Sequence, residues 1–193
     1  MSPRDTQRTF LALDIDEDVR RRLAELPDSV GDHDAKVRWV EPENLHITLN
    51  FLGDVSGETL ADVCDLAAEC AAGVKPFEFH VQGVLAVPPH GRKLRMLWAG
   101  VQEPTGRLAD LQGKLADAMS GLGLRREDRA YRPHLTVARV KFARDPNRLR
   151  SAVAPLKDDL FGTVFCENIT VYTSELGPDG PTYTAVAQPP LGK

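Results

Sequence analysis

Two tetrapeptides constrain this chain of 193 residues more than any other feature: His46-Ile47-Thr48-Leu49 and His134-Leu135-Thr136-Val137. Each alternates polar with apolar residues. A strand alternates its faces with a period of two, so His and Thr share one face while the aliphatic residues enter a core. The two polar side chains then stand about 6.6 Å apart along the strand. The offset of 88 residues between the motifs also brings Phe10 onto Trp98, and it carries a helix opening at Ser56 onto one opening at Asp145 within about a residue. Around both motifs the order strand, helix, strand, helix, strand recurs. A repeat of this kind predicts an α+β fold of two pseudo-symmetric lobes around a central cleft that carries the two His-x-Thr strands. Each lobe is expected to be an antiparallel or mixed sheet with outer helices. Residues 1–193 are expected to form one bilobal domain, with approximate repeats at 8–88 and 94–175.

The expected elements follow from periodicity and from breakers. Thr9 to Ile15 reads as a strand, and Asp16 caps a helix whose stripe is Val19, Leu23 and Leu26, ending before Pro27. Lys36 to Val40 and Leu45 to Leu52 read as extended, the second stopping at Gly53. The helix from Ser56 carries Leu60, Val63, Cys64, Ala67 and Ala71 on one side. Phe77 to Val87 and Lys93 to Val101 are strands around a Pro-Pro-His-Gly turn. A helix over Pro104 to Gly121 buries Leu108, Leu111, Leu115, Ala118 and Leu122. His134 to Val140 is a strand, Asp145-Pro146 opens a helix with Leu149, Val153 and Leu156, and three strands close the chain over 162–166, 168–174 and 182–188.

Composition narrows the setting. With 42% hydrophobic and 27% charged residues the chain is globular, and 24 Lys+Arg against 28 Asp+Glu leave −4, which does not suit a protein that coats nucleic acid by bulk charge. An anionic substrate has to be caught locally. Cys64, Cys70 and Cys166 lack CxxC spacing. The first two lie on one helix, about 9 Å apart in rise, too far for a disulfide. A reducing compartment, no signal peptide and no apolar stretch long enough for a membrane span lead to the expectation of a cytoplasmic monomer with no membrane partner.

Which chemistry uses two imidazoles and two hydroxyls? Neither motif supplies the second ligand that a metal site needs, since there is no HxH or HExxH and Glu41, Glu43 and Asp54 lack ligand spacing. No metal and no cofactor are expected. A serine triad fits poorly without a Gly-x-Ser-x-Gly elbow. In-line displacement at phosphorus does fit. It wants a base on the attacking side, an acid on the leaving side and donors for the equatorial oxygens. His46 and His134 are the candidate acid and base, in either assignment, and Thr48 and Thr136 the candidate phosphate donors.

These residues and their flanks resemble the two-histidine phosphoesterase superfamily, and within it the RNA 2′,3′-cyclic phosphodiesterases, also called 2′-5′ RNA ligases. The resemblance spans nearly the whole chain: 8–12 (RTFLA), 43–53 (ENLHITLNFLG), 97–100 (LWAG), 131–139 (YRPHLTVAR) and 180–183 (GPTY). Val137 stands where the family more often has Leu. The resemblance implies metal-independent hydrolysis of a terminal 2′,3′-cyclic phosphate to a 2′-phosphate, with RNA ends or nucleoside 2′,3′-cyclic phosphates as partners and a reverse ligase reaction. It also implies that His46 is the acid and His134 the base.

Supporting candidates are Arg8 as a phosphate contact and Phe10 and Trp98 as base-stacking platforms, with core packing an open alternative for both rings. Tyr131 and Arg132 precede the second motif within reach of a substrate. Arg139, five residues after His134, falls on the wrong face of a regular strand unless a bulge redirects it. His33, His80 and His90 lack a following Thr and read as surface or packing residues. From Arg125 to Arg150 nine Lys/Arg face three acids, a local +6 that brackets the second motif and predicts a funnel for an RNA terminus. Two other readings stay open. One is a non-catalytic RNA phosphate-end binding module; the other is a related phosphodiesterase for another cyclic or 2′-5′ linked nucleotide.

Overall fold

Alternating apolar residues assemble into one nine-stranded sheet in the computed structural model, which describes residues 6–31, 34–127, 129–178 and 180–192. The strands are β1 (Thr6–Leu13), β2 (Ala35–Trp39), β3 (Ile47–Ser56), β4 (Phe77–Val87), β5 (Met96–Gln102), β6 (His134–Ala143), β7 (Leu160–Cys166), β8 (Thr170–Gly177) and β9 (Gly180–Ala187). The helices are α1 (Glu17–Ala24), α2 (Leu26–Val30), α3 (Gly57–Ala72), α4 (Arg107–Gly121) and α5 (Pro146–Val153), with short 3₁₀ turns at Pro42–Asn44 and Ala154–Asp158. All strand pairings are antiparallel, in the order β7-β4-β5-β6-β3-β1-β8-β9, and β2 lies beside β6.

That order is a pseudo-two-fold. One lobe is β3-β1-β8-β9 and the other is β6-β5-β4-β7, joined where Ile47 pairs with Leu135. The lobes are not the two halves of the sequence. Strand β4 leaves the first half to lie between β5 and β7, and β8 returns from the second half to lie beside β1. Helices cross as well: α1 packs against β7, and α4 packs against β3 and α3. They cover one face of the sheet, with Leu11, Leu13, Ile47, Leu97, Leu111, Leu115 and Leu135 fully buried between the layers. Burying each such side chain contributes about 1.5–3 kcal/mol.

Local chemistry explains where the elements begin. Ser56 Oγ accepts the Thr59 N–H at 3.2 Å and caps α3, and Asp145 Oδ1 accepts the Asn147 N–H at 2.9 Å and caps α5. Three expectations change. Pro27 starts α2 instead of only ending α1, because a proline is tolerated in a first turn. Strand β3 continues beyond Gly53, which takes φ +79° at a register shift where Phe10 pairs with Phe51 and Thr9 with Gly53; the break is a bulge. On α4 the buried side turns toward Ala116 and Met119, leaving Ala118 and Leu122 half-buried.

Candidate active site

The single Ile47–Leu135 pair fixes the centre of the cleft. An antiparallel register carried one residue to either side sets Thr48 against His134 and His46 against Thr136. Histidines and threonines therefore alternate in a two-by-two array, half-buried on the sheet face opposite Leu45, Ile47, Leu135 and Val137. The two histidines occupy a diagonal, with Cα atoms about 7–8 Å apart in a regular ladder.

The same device sets both rings. His46 Nδ1 donates to the Asn44 carbonyl at 2.8 Å and His134 Nδ1 to the Arg132 carbonyl at 2.7 Å, two residues upstream in each case. A carbonyl oxygen only accepts, so Nδ1 carries hydrogen and Nε2 is left to exchange protons. His46 Nε2 stands 3.1 Å from Thr48 Oγ1. Burial lowers the pKa of both histidines. Against that lowering, His46 gains from its bond to Asn44 and the charge of Asp14, and His134 from its bond to Arg132 and the charge of Glu127.

An aromatic ring backs each histidine. Trp98 stacks on His134 with centroids 3.6 Å apart and planes 20° apart; Phe10 lies 4.9 Å from His46. Phe10 is only 1% exposed, enclosed by His46, Phe51, Tyr172 and Tyr183, so a base cannot reach it in this arrangement. The expected stacking platform is a packing floor. One face of Trp98 is likewise taken by His134.

Arg139 is brought to the cleft. Leu97 pairs with Ala138 and Trp98 with Thr136, so Val137 is an extra residue and Val137 and Ala138 are buried in succession. That bulge returns Arg139 to the face of His134 and Thr136, where its charge reaches His46 and Tyr183. Arg8 sits at the rim, 5.7 Å over the Phe51 ring. Tyr131 donates its hydroxyl to the Thr48 carbonyl at 3.3 Å and so ties one lobe to the other, and burial raises its pKa. Arg132 is exposed, and its carbonyl holds His134. His80 Nδ1 contacts Thr163 Oγ1 at 2.8 Å, His90 is exposed, and His33 lies outside the described residues.

Asp14, Arg20 and Tyr172 contribute without a readable motif, and Tyr183 ends the 180–183 segment (GPTY) of the resemblance. Asp14 accepts the hydroxyls of Thr170 and Tyr172, each at 2.7 Å, beside His46. Tyr183 meets the His46 ring edge-on at 5.3 Å. Arg20 on α1 donates to the carbonyls of Pro42 and, at 3.4 Å, Ile15, steadying the turn that presents His46. Asp14 left a hint as an acid near the end of an apolar strand, whereas Arg20 and Tyr172 converge from a helix and a strand distant in sequence. Among the described residues no three His, Cys, Asp or Glu side chains group as metal ligands would, and no helix is long and apolar enough to cross a membrane.

A bilobal sheet with one His-x-Thr strand from each lobe at its seam, each histidine locked through Nδ1, defines a two-histidine phosphoesterase. The chain belongs to the LigT-like phosphoesterases: the family model matches residues 13–98 and 100–183. It is 38% identical over 177 residues to the RNA 2′,3′-cyclic phosphodiesterase of Methanothermobacter thermautotrophicus, covering 92% of this chain and 95% of the relative. With the Archaeoglobus fulgidus protein of the same name it shares 37% over 180 residues, 91% of this chain and 96% of the relative. Among solved structures, TT0787 of Thermus thermophilus superposes with a TM-score of 0.81 at 29% identity, covering 96% of this chain and 99% of that one. Escherichia coli LigT with 3′-AMP gives 0.81 at 23% identity, covering 97% and 99%, a likeness of fold.

Proposed function

We propose that this chain is an RNA 2′,3′-cyclic phosphodiesterase that opens a terminal cyclic phosphate to a 2′-phosphate by acid–base catalysis between His46 and His134, without a metal or cofactor. The observation that carries the reading is the pair of matching Nδ1 bonds, which direct both Nε2 atoms to proton exchange from diagonal positions at the seam of the two lobes. In the reaction His134 Nε2 takes a proton from water as the water oxygen bonds to phosphorus. The P–O3′ bond breaks in line, and His46 Nε2 gives its proton to O3′. Water is thus added across P–O3′, and exchange with solvent returns the two protons. Thr48, Thr136 and the Arg139 guanidinium hold the non-bridging oxygens, Arg8 adds positive charge at the rim, and Arg132 lies at the entrance.

The assignment of His46 as acid and His134 as base follows the family resemblance; at His46 the charge of Asp14 favours the imidazolium while Arg20 and Arg139 oppose it, and at His134 Glu127 favours it. The bound diester, itself an anion, raises the proton affinity of both rings. Run in reverse, the same steps join a hydroxyl to a cyclic phosphate, giving a 2′-5′ linkage. Both histidines come from one chain, which supports a monomer, and the free thiols of Cys64, Cys70 and Cys166 suit a reducing compartment such as the cytoplasm.

Turnover of a nucleoside 2′,3′-cyclic phosphate, followed by phosphorus NMR, tests this. The expected product is the 2′-monophosphate, and His46→Ala and His134→Ala each remove turnover. Full activity in either variant refutes the mechanism. Binding with no monoester signal favours a phosphate-end binding module.

A further inference from the structure

We propose that the β2–β6 ribbon is a docking arm for the single-stranded RNA leading to the cyclic end, with Phe142 as a base-stacking platform and Lys36 and Arg38 as phosphate contacts; this rests on the RNA reading of the cleft. The register places these residues. Arg38 pairs with Arg139 and Lys36 with Phe142, with Lys141 bulged between the two pairs. Direct cross-strand partners share a face, so Lys36, Arg38 and Phe142 lie on the face that already carries Arg139, Thr136 and His134. The opposite face is apolar: Ala35, Val37, Trp39 and Val140 pack on the core. Strand β2 thus alternates core residues with cations.

Charge and exposure together favour a polyanion on this face, which carries Lys36, Arg38 and Arg139 side by side. Phe142, the next-to-last residue of β6, is 64% exposed at the outer end of the ribbon, beside basic Lys141 and two residues before Arg144. An exposed ring among cations is the makeup of single-strand sites, where any base stacks and charge follows the backbone. Phe142 lies eight residues beyond His134, two of them bulged, and so roughly 20 Å along the strand, where nucleotides upstream of the one in the cleft reach it. The arm also touches the other lobe, because the Arg38 guanidinium lies against Gly180 of β9, where a Cβ would come within 2.4 Å of it.

The test compares a nucleoside 2′,3′-cyclic phosphate with a short single-stranded oligonucleotide ending in the same group. Phe142→Ala is expected to weaken oligonucleotide binding by about 5- to 150-fold, the loss of one stacked base, and Phe142→Trp to retain it. Lys36→Ala is expected to make the salt dependence of log Kd shallower by about 0.7, the loss of one single-strand phosphate contact. Mononucleotide turnover stays within about twofold in all three variants, which also shows that they fold. Oligonucleotide binding is read by fluorescence anisotropy in the His134→Ala background, so it is independent of turnover. Equal effects of Phe142→Ala on both substrates, or none on the oligonucleotide, overturn the arm and leave the cleft mechanism standing. Loss of the mechanism with the Phe142 effect intact does the reverse.

Discussion

His46 and His134 hold protons less tightly than free imidazole because burial disfavours the charged ring, and this sets the pH dependence. The working free enzyme carries one proton on the pair, so the bell in kcat/KM centres between two lowered pKa values, below the ordinary value of about 6.5. In the complex the diester anion restores proton affinity, and the maximum of kcat is expected at higher pH than that of kcat/KM. Coincident maxima at or above 7 would contradict this. Asp14 is a positioning residue in the same balance. Asp14→Asn removes a charge that favours His46 imidazolium, so the limb belonging to His46 is expected to move to lower pH. Turnover above neutrality should fall by less than the roughly 10²–10⁴-fold that a general acid supplies. A purely structural role would lower the whole profile without moving its limbs.

Strands carried most of the legible information at the scale of elements, because a period of two survives any tertiary setting. The alternation in 45–49 and 134–137 placed both histidines on the cleft face, and Phe77–Val87 falls on β4 at both ends. Bulges were less readable. Gly53 looked like a stop because a glycine with positive φ serves a turn and a bulge equally well, and only the pairing with β1 distinguishes them. The bulge at Val137, which decides whether Arg139 serves the cleft, depends on β5 in the same way. Strand β5 also has a tight point at the site. A Cβ on Gly100, the partner of His134, would lie 2.6 Å from the Gln82 carbonyl oxygen. Gly100→Ala is therefore expected to push β4 and β5 apart, cost about 1–3 kcal/mol in chemical denaturation and lower turnover by displacing His134. Unchanged stability would mean that the two strands yield freely.

For the whole molecule, the surplus of +6 over 125–150 was legible but its destination was not, since side-chain partners lie far off in sequence. Arg126 pairs with Asp117, Arg148 with Asp34 at 3.8 Å, and Arg150 binds the carbonyls of Pro88 and Gly91 at 3.2 and 2.9 Å, so part of the run holds the fold. Lys36 and Arg38, outside the run, join the cleft face instead. The crossing of strands between lobes was hidden for a related reason: an offset of 88 shows that two halves are alike and does not say which strand pairs with which. It bears on folding. Cut between His90 and Gly91, the first fragment keeps β1 without β8, β2 without β6, and β4 with neither of its neighbours. Unpaired edges and a bare aromatic floor leave too little buried surface to offset chain entropy. Neither fragment is expected to show a cooperative thermal transition or any turnover, whereas a mixture regains both, and the intact chain melts once with equal calorimetric and van't Hoff enthalpies. A cooperative transition in either fragment alone would show that a lobe can complete itself from half the sequence.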